Sequence, residues 1–341
     1  MRALELEAWG RMAVAEVAEP TPGPGEVILE IIATGICGSD IHGFTGENGR
    51  RILGQIMGHE SVGRVHALGE GVDASQTPIG AVATFNPVIT SAEGRRTFAG
   101  REQHDPKKIV IGVAPHRISA FAHRIVVPSE NLVLLPSNMP VLYGALIEPL
   151  AVALNAVRRV HVAGGESVLV VGGGPIGQST TLAAFREGAA TVYVSEPNAE
   201  RRDLCASLGA IALNPSEAPI AEQIVARQGS LVNVAIDAVG ISESLADALV
   251  STSFGGRVCL VGMGNPDLSL QAYRVSTEER SIVGSFCYSF QVFNDAAEWV
   301  GQGDDVFGRL ISAEVPLQDA PSAFERLATK ADVPGKILVT F

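Results

Sequence analysis

The sequence predicts an α/β protein whose second half forms a doubly wound parallel sheet. Three observations carry that prediction. Val168-Leu169-Val170-Val171 reads as a buried strand, a glycine turn follows at 172–177, and Gln178 to Phe185 reads as a helix. A second strand, Thr191-Val192-Tyr193-Val194, ends at Ser195-Glu196. Beyond it, strand-like runs at Asn233–Asp237, Arg257–Gly262 and Ser281–Ser285 alternate with helix-like segments. Such alternation places helices on both faces of a parallel sheet.

The turn is also a chemical motif. Gly172, Gly174 and Gly177 fit G-x-G-x-x-G. The first glycine permits the tight turn, the second lets backbone approach a pyrophosphate, and the third lets helix pack against strand. The helix N-terminus then offers free N–H groups to the phosphates. Glu196 lies about 20 residues past the glycines, where an acid holds the ribose 2′-OH of NAD and repels the 2′-phosphate of NADP. A purely structural strand–turn–helix shares this outline, but the strand before the glycines and the helix after them favour a nucleotide.

Length and composition set the outer limits. At 341 residues the chain suggests two domains. Hydrophobic residues make up 46%, enough for a sizeable core. A net charge of −12 and a pI near 5.1 argue against nucleic-acid or anionic-membrane partners. The sequence has no apolar run of the roughly 18 residues that a membrane span needs, and no secretory signal at Met1 to Glu7. Cys37, Cys205, Cys259 and Cys287 form no C-x-x-C pair, so a reducing cytoplasm is expected.

The first half reads as a β-rich domain. Residues 1–20 read as short strands and turns, 20–25 as a breaker, and Glu26–Ala33 as a strand. Thr34 to His42 crowds reactive side chains between glycines. Gly58-His59-Glu60 runs into 64–72, which reads as a strand pair and turn. Residues 85–118 lack periodicity and read as a surface loop or lid. Strand-like runs return at Ala120–Pro128 and Leu132–Pro136, and Gly144–Ala153 starts a long helix. After a helix at Asn294–Val300, the closing strand Lys336–Thr340 has no nucleotide signature, so the tail is expected to return to the N-terminal domain.

Cys37, His59, Glu60 and Glu148 come from separate segments. A thiolate, an imidazole and a carboxylate together bind zinc tetrahedrally. Spacing alone does not show that they converge, and singly each has a bland reading as a core thiol, a surface histidine or a helix-capping acid.

Their context is more specific. Gly58-His59-Glu60-x-x-Gly63-x5-Gly69-x-x-Val72 resembles the zinc signature of the medium-chain zinc-dependent alcohol dehydrogenases, and Cys37 to His42 resembles their first-ligand segment. Gly144 to Val152, followed by Val168 to Gly177, is most similar to the sorbitol (polyol) dehydrogenase branch. The resemblance spans essentially the whole chain. It implies a GroES-like, mostly-β catalytic domain over 1–145 and 289–341, and a Rossmann dinucleotide-binding domain over 146–288. It implies Cys37, His59 and Glu60 as catalytic zinc ligands, with Glu148 binding the zinc directly or through water. Ser39 matches the hydroxyl that accepts the substrate proton, and His42 the histidine that passes it to solvent. Gly172, Gly174, Pro175, Ile176, Gly177, Glu196 and Arg201 match the NAD-binding positions. Val261, Gly262, Met263, Phe286, Cys287 and Tyr288 match segments near the nicotinamide and substrate.

The implied activity is zinc- and NAD-dependent oxidation of a secondary alcohol of a polyol or sugar derivative. Alternatives are a threonine 3-dehydrogenase-like or simple alcohol dehydrogenase and, from another class, a non-catalytic dinucleotide-binding protein. The partner is a small molecule, and the assembly implied is a tetramer or dimer. There are departures. No cysteine stands between Cys37 and Cys205, so a four-cysteine structural zinc is excluded. His104, Asp105 and His116 read as ordinary loop polarity. Gly43 stands where polyol dehydrogenases often place an aromatic residue, Cys287 where they often place an arginine, and His123 where relatives often carry an acid.

Overall fold

The computed structural model describes residues 1–47, 49–115, 118–329 and 333–341. His116 therefore lies outside the described residues. The chain divides into two compact units, Met1–Glu148 with Tyr288–Phe341, and Pro149–Cys287.

The second unit holds a six-stranded parallel sheet in the order Ile211–Leu213, Thr191–Ser195, Ser167–Val171, Val232–Asp237, Thr252–Leu260, Ser281–Gly284. Strand order thus reverses beside Ser167–Val171, the switch point at which doubly wound sheets bind ligands. Val168, Leu169 and Val170 are fully buried, as expected of a strand covered on both faces. The strand from Thr252 starts earlier than its apolar run. Pairing skips from Val232–Thr252 to Val234–Arg257, across a bulge that contains Gly255 at φ +71°.

The first unit is built on a sheet in the order Ile311–Pro316, Lys336–Thr340, Glu26–Gly35, Glu60–Leu68, Val82–Phe85, Leu132–Leu134, with Arg124–Pro128 also paired to Glu26–Gly35. The closing strand joins Glu26–Gly35 antiparallel, Leu338 opposite Gly35. Its core gathers Leu4, Leu29, Phe121, Phe324 and Ile337, and the Phe324 ring meets both Phe44 and Phe121.

Three expectations need correction. Residues 64–72 are not a strand pair: one strand runs from Glu60 to Leu68 and the turn follows. Gly63 lies inside it because a Cβ there would collide with the Glu30 carbonyl of the neighbouring strand. Residues 85–118 are not a featureless lid. They hold a helix, Ala92–Thr97, capped by Ser91, a hairpin of Val88–Ile89 with Ile109–Val110, and a 3₁₀ turn, Glu102–His104. Buried Asn86, Glu102 and Asp105 organise these short pieces, so no hydrophobic period marks them. Finally, Val141–Arg159 is a helical span of 19 residues with mean hydropathy 1.4, long and apolar enough to cross a membrane, but 78% of its most apolar stretch is buried inside the protein. It is a core helix, whose Glu148 breaks the apolar run in the sequence.

Burial pushes the Cys205 and Cys259 thiols up to about 12. In chelator-treated folded protein near about pH 8, both should resist iodoacetamide while half-buried Cys37 and Cys287 react. Mass mapping of the adducts checks this, and denaturant should abolish the difference.

Candidate active site

The thiol, imidazole and carboxylate meet because the end of one strand lies beside the start of its neighbour. Glu26–Gly35 runs out into Ile36 and Cys37, and Cys37 caps the helix Gly38–Thr45 from an extended conformation. Glu60 opens its strand directly opposite Gly35, with His59 just before it. The ligand atoms of Cys37, His59 and Glu60 lie within 4.8 Å of one another. His59 and Glu60 are buried, and Cys37 is half-buried. Glu148, also buried, accepts a hydrogen bond from the Tyr288 hydroxyl at 2.7 Å.

The surrounding charges are dense. Asp40 is fully buried: its Oδ2 accepts from the Cys37 N–H at 3.1 Å, and its Oδ1 stands 3.8 Å from His59 Nδ1 and 4.0 Å from Arg51 Nη2. Burial raises the Asp40 carboxyl against the pull of His59 and Arg51. At His59 burial disfavours the imidazolium, but Asp40 and Cys37 outweigh it and push the ring up to about 10. A cation that ligates this ring must displace its proton. The donor set of sulfur, nitrogen and oxygen fits zinc. Buried Lys336 faces Glu60, with Nζ 2.8 Å from Oε1 and 2.7 Å from Oε2.

Ser39 is not the helix cap; Cys37 is. The Ser39 hydroxyl lies inside the first turn, buried and without a hydrogen-bond partner in the structure. His42, on the same helix, has a side chain 43% exposed, with Nδ1 3.3 Å from Glu47 Oε2.

In the second unit the glycine loop has the expected form. Gly172 turns at φ +95°, and a Cβ on Gly177 would overlap the Gly172 carbonyl. Gly174 faces open space and precedes Pro175 and Ile176 at the start of the helix Pro175–Arg186. Glu196 is buried at the end of Thr191–Ser195. Its Oε2 accepts from Gly173 N–H and its Oε1 from Asn198 N–H, both at 2.8 Å. The Arg201 N–H is bonded to Asn198 Oδ1 at 3.0 Å, in the first turn of the next helix. Val261 and Gly262 donate to the Asp237 carbonyl at the end of the Val232–Asp237 strand, and Met263 and Phe286 are exposed. Cys287 adopts φ +48° and is half-buried. Tyr288 belongs to the first unit and is fully buried.

Comparison with known proteins follows the same division. The alcohol dehydrogenase GroES-like domain family matches residues 23–137, and the zinc-binding dehydrogenase family matches 175–302. Sorbitol dehydrogenase of Ovis aries is 32% identical over 90% of this chain and 87% of its own. The chain belongs to the zinc-dependent medium-chain dehydrogenases, on their polyol branch. It is also 30% identical to 2-dehydro-3-deoxy-L-galactonate 5-dehydrogenase of Pseudoalteromonas atlantica, over 90% of this chain and 89% of that one. A zinc-binding dehydrogenase of Sinorhizobium meliloti, solved bound to NADP, superposes with a TM-score of 0.90 at 30% identity, covering 100% of this chain and 99% of that one. The GroES-like and Rossmann architectures are thus those of the family.

The family departures now have partial explanations. A Cβ on Gly43 would sit 2.7 Å from Arg51 Cγ and 3.1 Å from Met57 Sδ, so Arg51 fills the space an aromatic would need. His123 packs edge-on against the Phe341 ring, 5.8 Å between centroids. Asp105 is turned onto its own loop, its Oδ1 accepting from the Lys107 N–H at 2.8 Å. Among the described residues, Cys37, His59 and Glu60 form the only cluster of metal-ligating type. Sequence reasoning missed Lys336, Arg51 and the Tyr288–Glu148 bond. The one available signal was a cation opening an otherwise apolar closing strand.

Burial pushes the Glu148 carboxyl from its ordinary 4.5 up to about 7, against the pull of His59. The folded chain thus holds a proton there that the unfolded chain releases. The resulting stability is complete below the ordinary value and lost as pH rises through about 7. Glu148→Gln, in chelator-treated protein, should match the parent's Tm near about pH 5 and exceed it by a few degrees near about pH 8. Differential scanning calorimetry across that range checks it.

Proposed function

We propose that this protein oxidises a secondary alcohol of a polyol or sugar acid to a ketone, with one catalytic zinc and NAD. The observation that carries this reading is the meeting of Cys37, His59 and Glu60 within 4.8 Å, in a chain that also holds the glycine loop. Cys37, His59, Glu60 and Glu148 are the residues to hold zinc. When bound, the metal supplies Lewis acidity that lowers the pKa of an alcohol, and the nicotinamide takes up hydride. The protein's own residues do the rest. The Ser39 hydroxyl, buried and unpartnered, is available to take the substrate proton. His42, on the same helix and reaching solvent, is placed to pass that proton outward. Glu196 retains lone pairs beyond its two backbone bonds and is the residue to read the ribose 2′-OH.

The substrate class follows from the two relatives, which act on sorbitol and on a deoxy-galactonate by name. Gly43 and Cys287 remove an aromatic wall and a multi-donor contact, which speaks against sorbitol itself. We assign 1–145 with 289–341 to catalysis and 146–288 to the dinucleotide; the compact units differ from this division only at 146–148 and 288, which fall in the first unit. A cytoplasmic homo-oligomer without nucleic-acid or membrane partners is the setting that the acidic composition and the lack of a C-x-x-C pair in the sequence support.

NADH formation with a panel of polyols, sugar acids and threonine tests the activity; no turnover together with no bound zinc would favour a non-catalytic nucleotide binder. Cys37→Ala should lower kcat about 10³-fold or more while NAD titration is unchanged. Loss of both would indicate misfolding instead. NAD should exceed NADP in kcat/KM, and Glu196→Ala should narrow the gap; equal values for the parent protein would remove Glu196 from that role.

A further inference from the structure

Asp237 closes the strand Val232–Asp237, is fully buried, and takes no part in the reaction as described. Its carboxylate serves the loop that follows. Oδ1 accepts from the Val239 N–H at 2.9 Å and the Gly240 N–H at 3.0 Å, and Oδ2 accepts from the Ser244 hydroxyl at 3.0 Å. Its own carbonyl accepts from Val261 and Gly262, which follow the next strand. The two loops are pressed together there: a Cβ on Gly240 would overlap Gly262, and a Cβ on Gly262 would overlap Val239. On its other side the loop meets the glycine turn, where a Cβ on Gly172 would come within 2.6 Å of Val239 Cγ2. One carboxylate thus fixes a loop wedged between that turn and the end of Thr252–Leu260.

The sheet order says what lies over this loop. Glu196 follows Thr191–Ser195 on one side of Ser167–Val171, and Asp237 ends the strand on the other. A dinucleotide whose pyrophosphate rests on the glycine turn, and whose adenosine ribose reaches Glu196, extends its other half the opposite way, over Val239 and Gly240. We propose that Asp237 is a positioning residue for the nicotinamide half of the cofactor, acting through the Val239–Gly240 loop rather than by touching a reactant. This rests on the dinucleotide reading of the second unit. The physical basis is acceptor supply. Val239 and Gly240 lie between a strand and the helix Ser242–Ser251, where no ladder serves their N–H groups, and Gly240 is held at φ +79°. Without the carboxylate these donors turn to water and the loop relaxes.

The test reads the two halves of the cofactor separately in the full-length protein. ADP, titrated by calorimetry, reports the adenosine side. NADH is titrated by its own fluorescence, whose blue shift on binding reports the surroundings of the nicotinamide. Asp237→Ala should leave the ADP Kd within about twofold of the parent, weaken NADH about tenfold and remove most of the blue shift. Asp237→Asn keeps an acceptor for both N–H groups and should resemble the parent. The proposal is overturned if Asp237→Ala folds and leaves NADH affinity and emission unchanged. It is overturned equally if ADP and NADH weaken together, the mark of a general scaffold role, or if Asp237→Asn behaves like Asp237→Ala. Should Asp237→Ala fail to fold, Ser244→Ala decides: NADH weaker by about threefold with ADP unchanged supports the proposal, and any other result overturns it. A parent protein that binds neither ADP nor NADH would instead overturn the dinucleotide reading itself.

Discussion

Concentrated negative charge in a buried place is the constraint from which the first unit takes its form. Cys37, Asp40, Glu60 and Glu148 gather around one histidine, and Asp40 and Glu60 are fully buried. Anionic groups out of water carry a desolvation penalty far larger than any single packing contact recovers. They persist where cations accompany them, and the fold supplies two that are themselves buried. Arg51 stands beside Asp40 and Lys336 beside Glu60. The second cation explains why the tail returns to the first unit. A strand added to Glu26–Gly35 from anywhere would complete the sheet, but this one begins with the ammonium that Glu60 requires.

The second unit is governed by shape rather than charge. Three glycines there answer three separate demands: a left-handed turn at Gly172, open backbone at Gly174, and contact of helix with strand at Gly177. Glu196 adds a fourth tie, since its carboxylate holds the Gly173 N–H and so fixes the turn that it is proposed to serve. The acid proposed to read the ribose is therefore tied directly to the loop proposed to cradle the phosphates. Its substitution acts on geometry as well as on selectivity.

These two kinds of constraint explain what could be read from the sequence. The glycine loop was legible because steric demands are local: the residues that collide are neighbours in the chain. The parallel strands were legible for the same reason, each being a self-contained apolar run. The proposed ligands Cys37, His59 and Glu60 were legible only through the family pattern, since their meeting depends on strand register between distant segments. Lys336 is 276 residues from its partner, and its one local mark, a cation opening an apolar strand, is shared by surface lysines at strand starts. The region 85–118 was misread because polar caps and buried carboxylates, not apolar periodicity, hold it together. Glu102 is typical: it accepts from its own loop at Gly100 and from the distant Phe290 N–H.

Gly43 shows how a selectivity position becomes scaffold. Without a side chain there, Arg51 passes across the gap and brings its guanidinium to 4.0 Å from Asp40. Asp40 in turn stands 3.8 Å from His59 Nδ1, too far for a hydrogen bond, so it acts on the imidazole through its field rather than by a directed contact. Its position is fixed instead by the Cys37 N–H, which donates to its other oxygen. One carboxylate thus bears on two of the proposed zinc ligands, and that carboxylate is neutralised through the space an aromatic would occupy. A bulky residue at Gly43 would then do more than reshape a substrate pocket: it would displace Arg51, leave Asp40 short of its countercharge, and weaken the field that sets His59. On the proposed zinc reading, pocket shape and the charge around His59 are therefore coupled at this position.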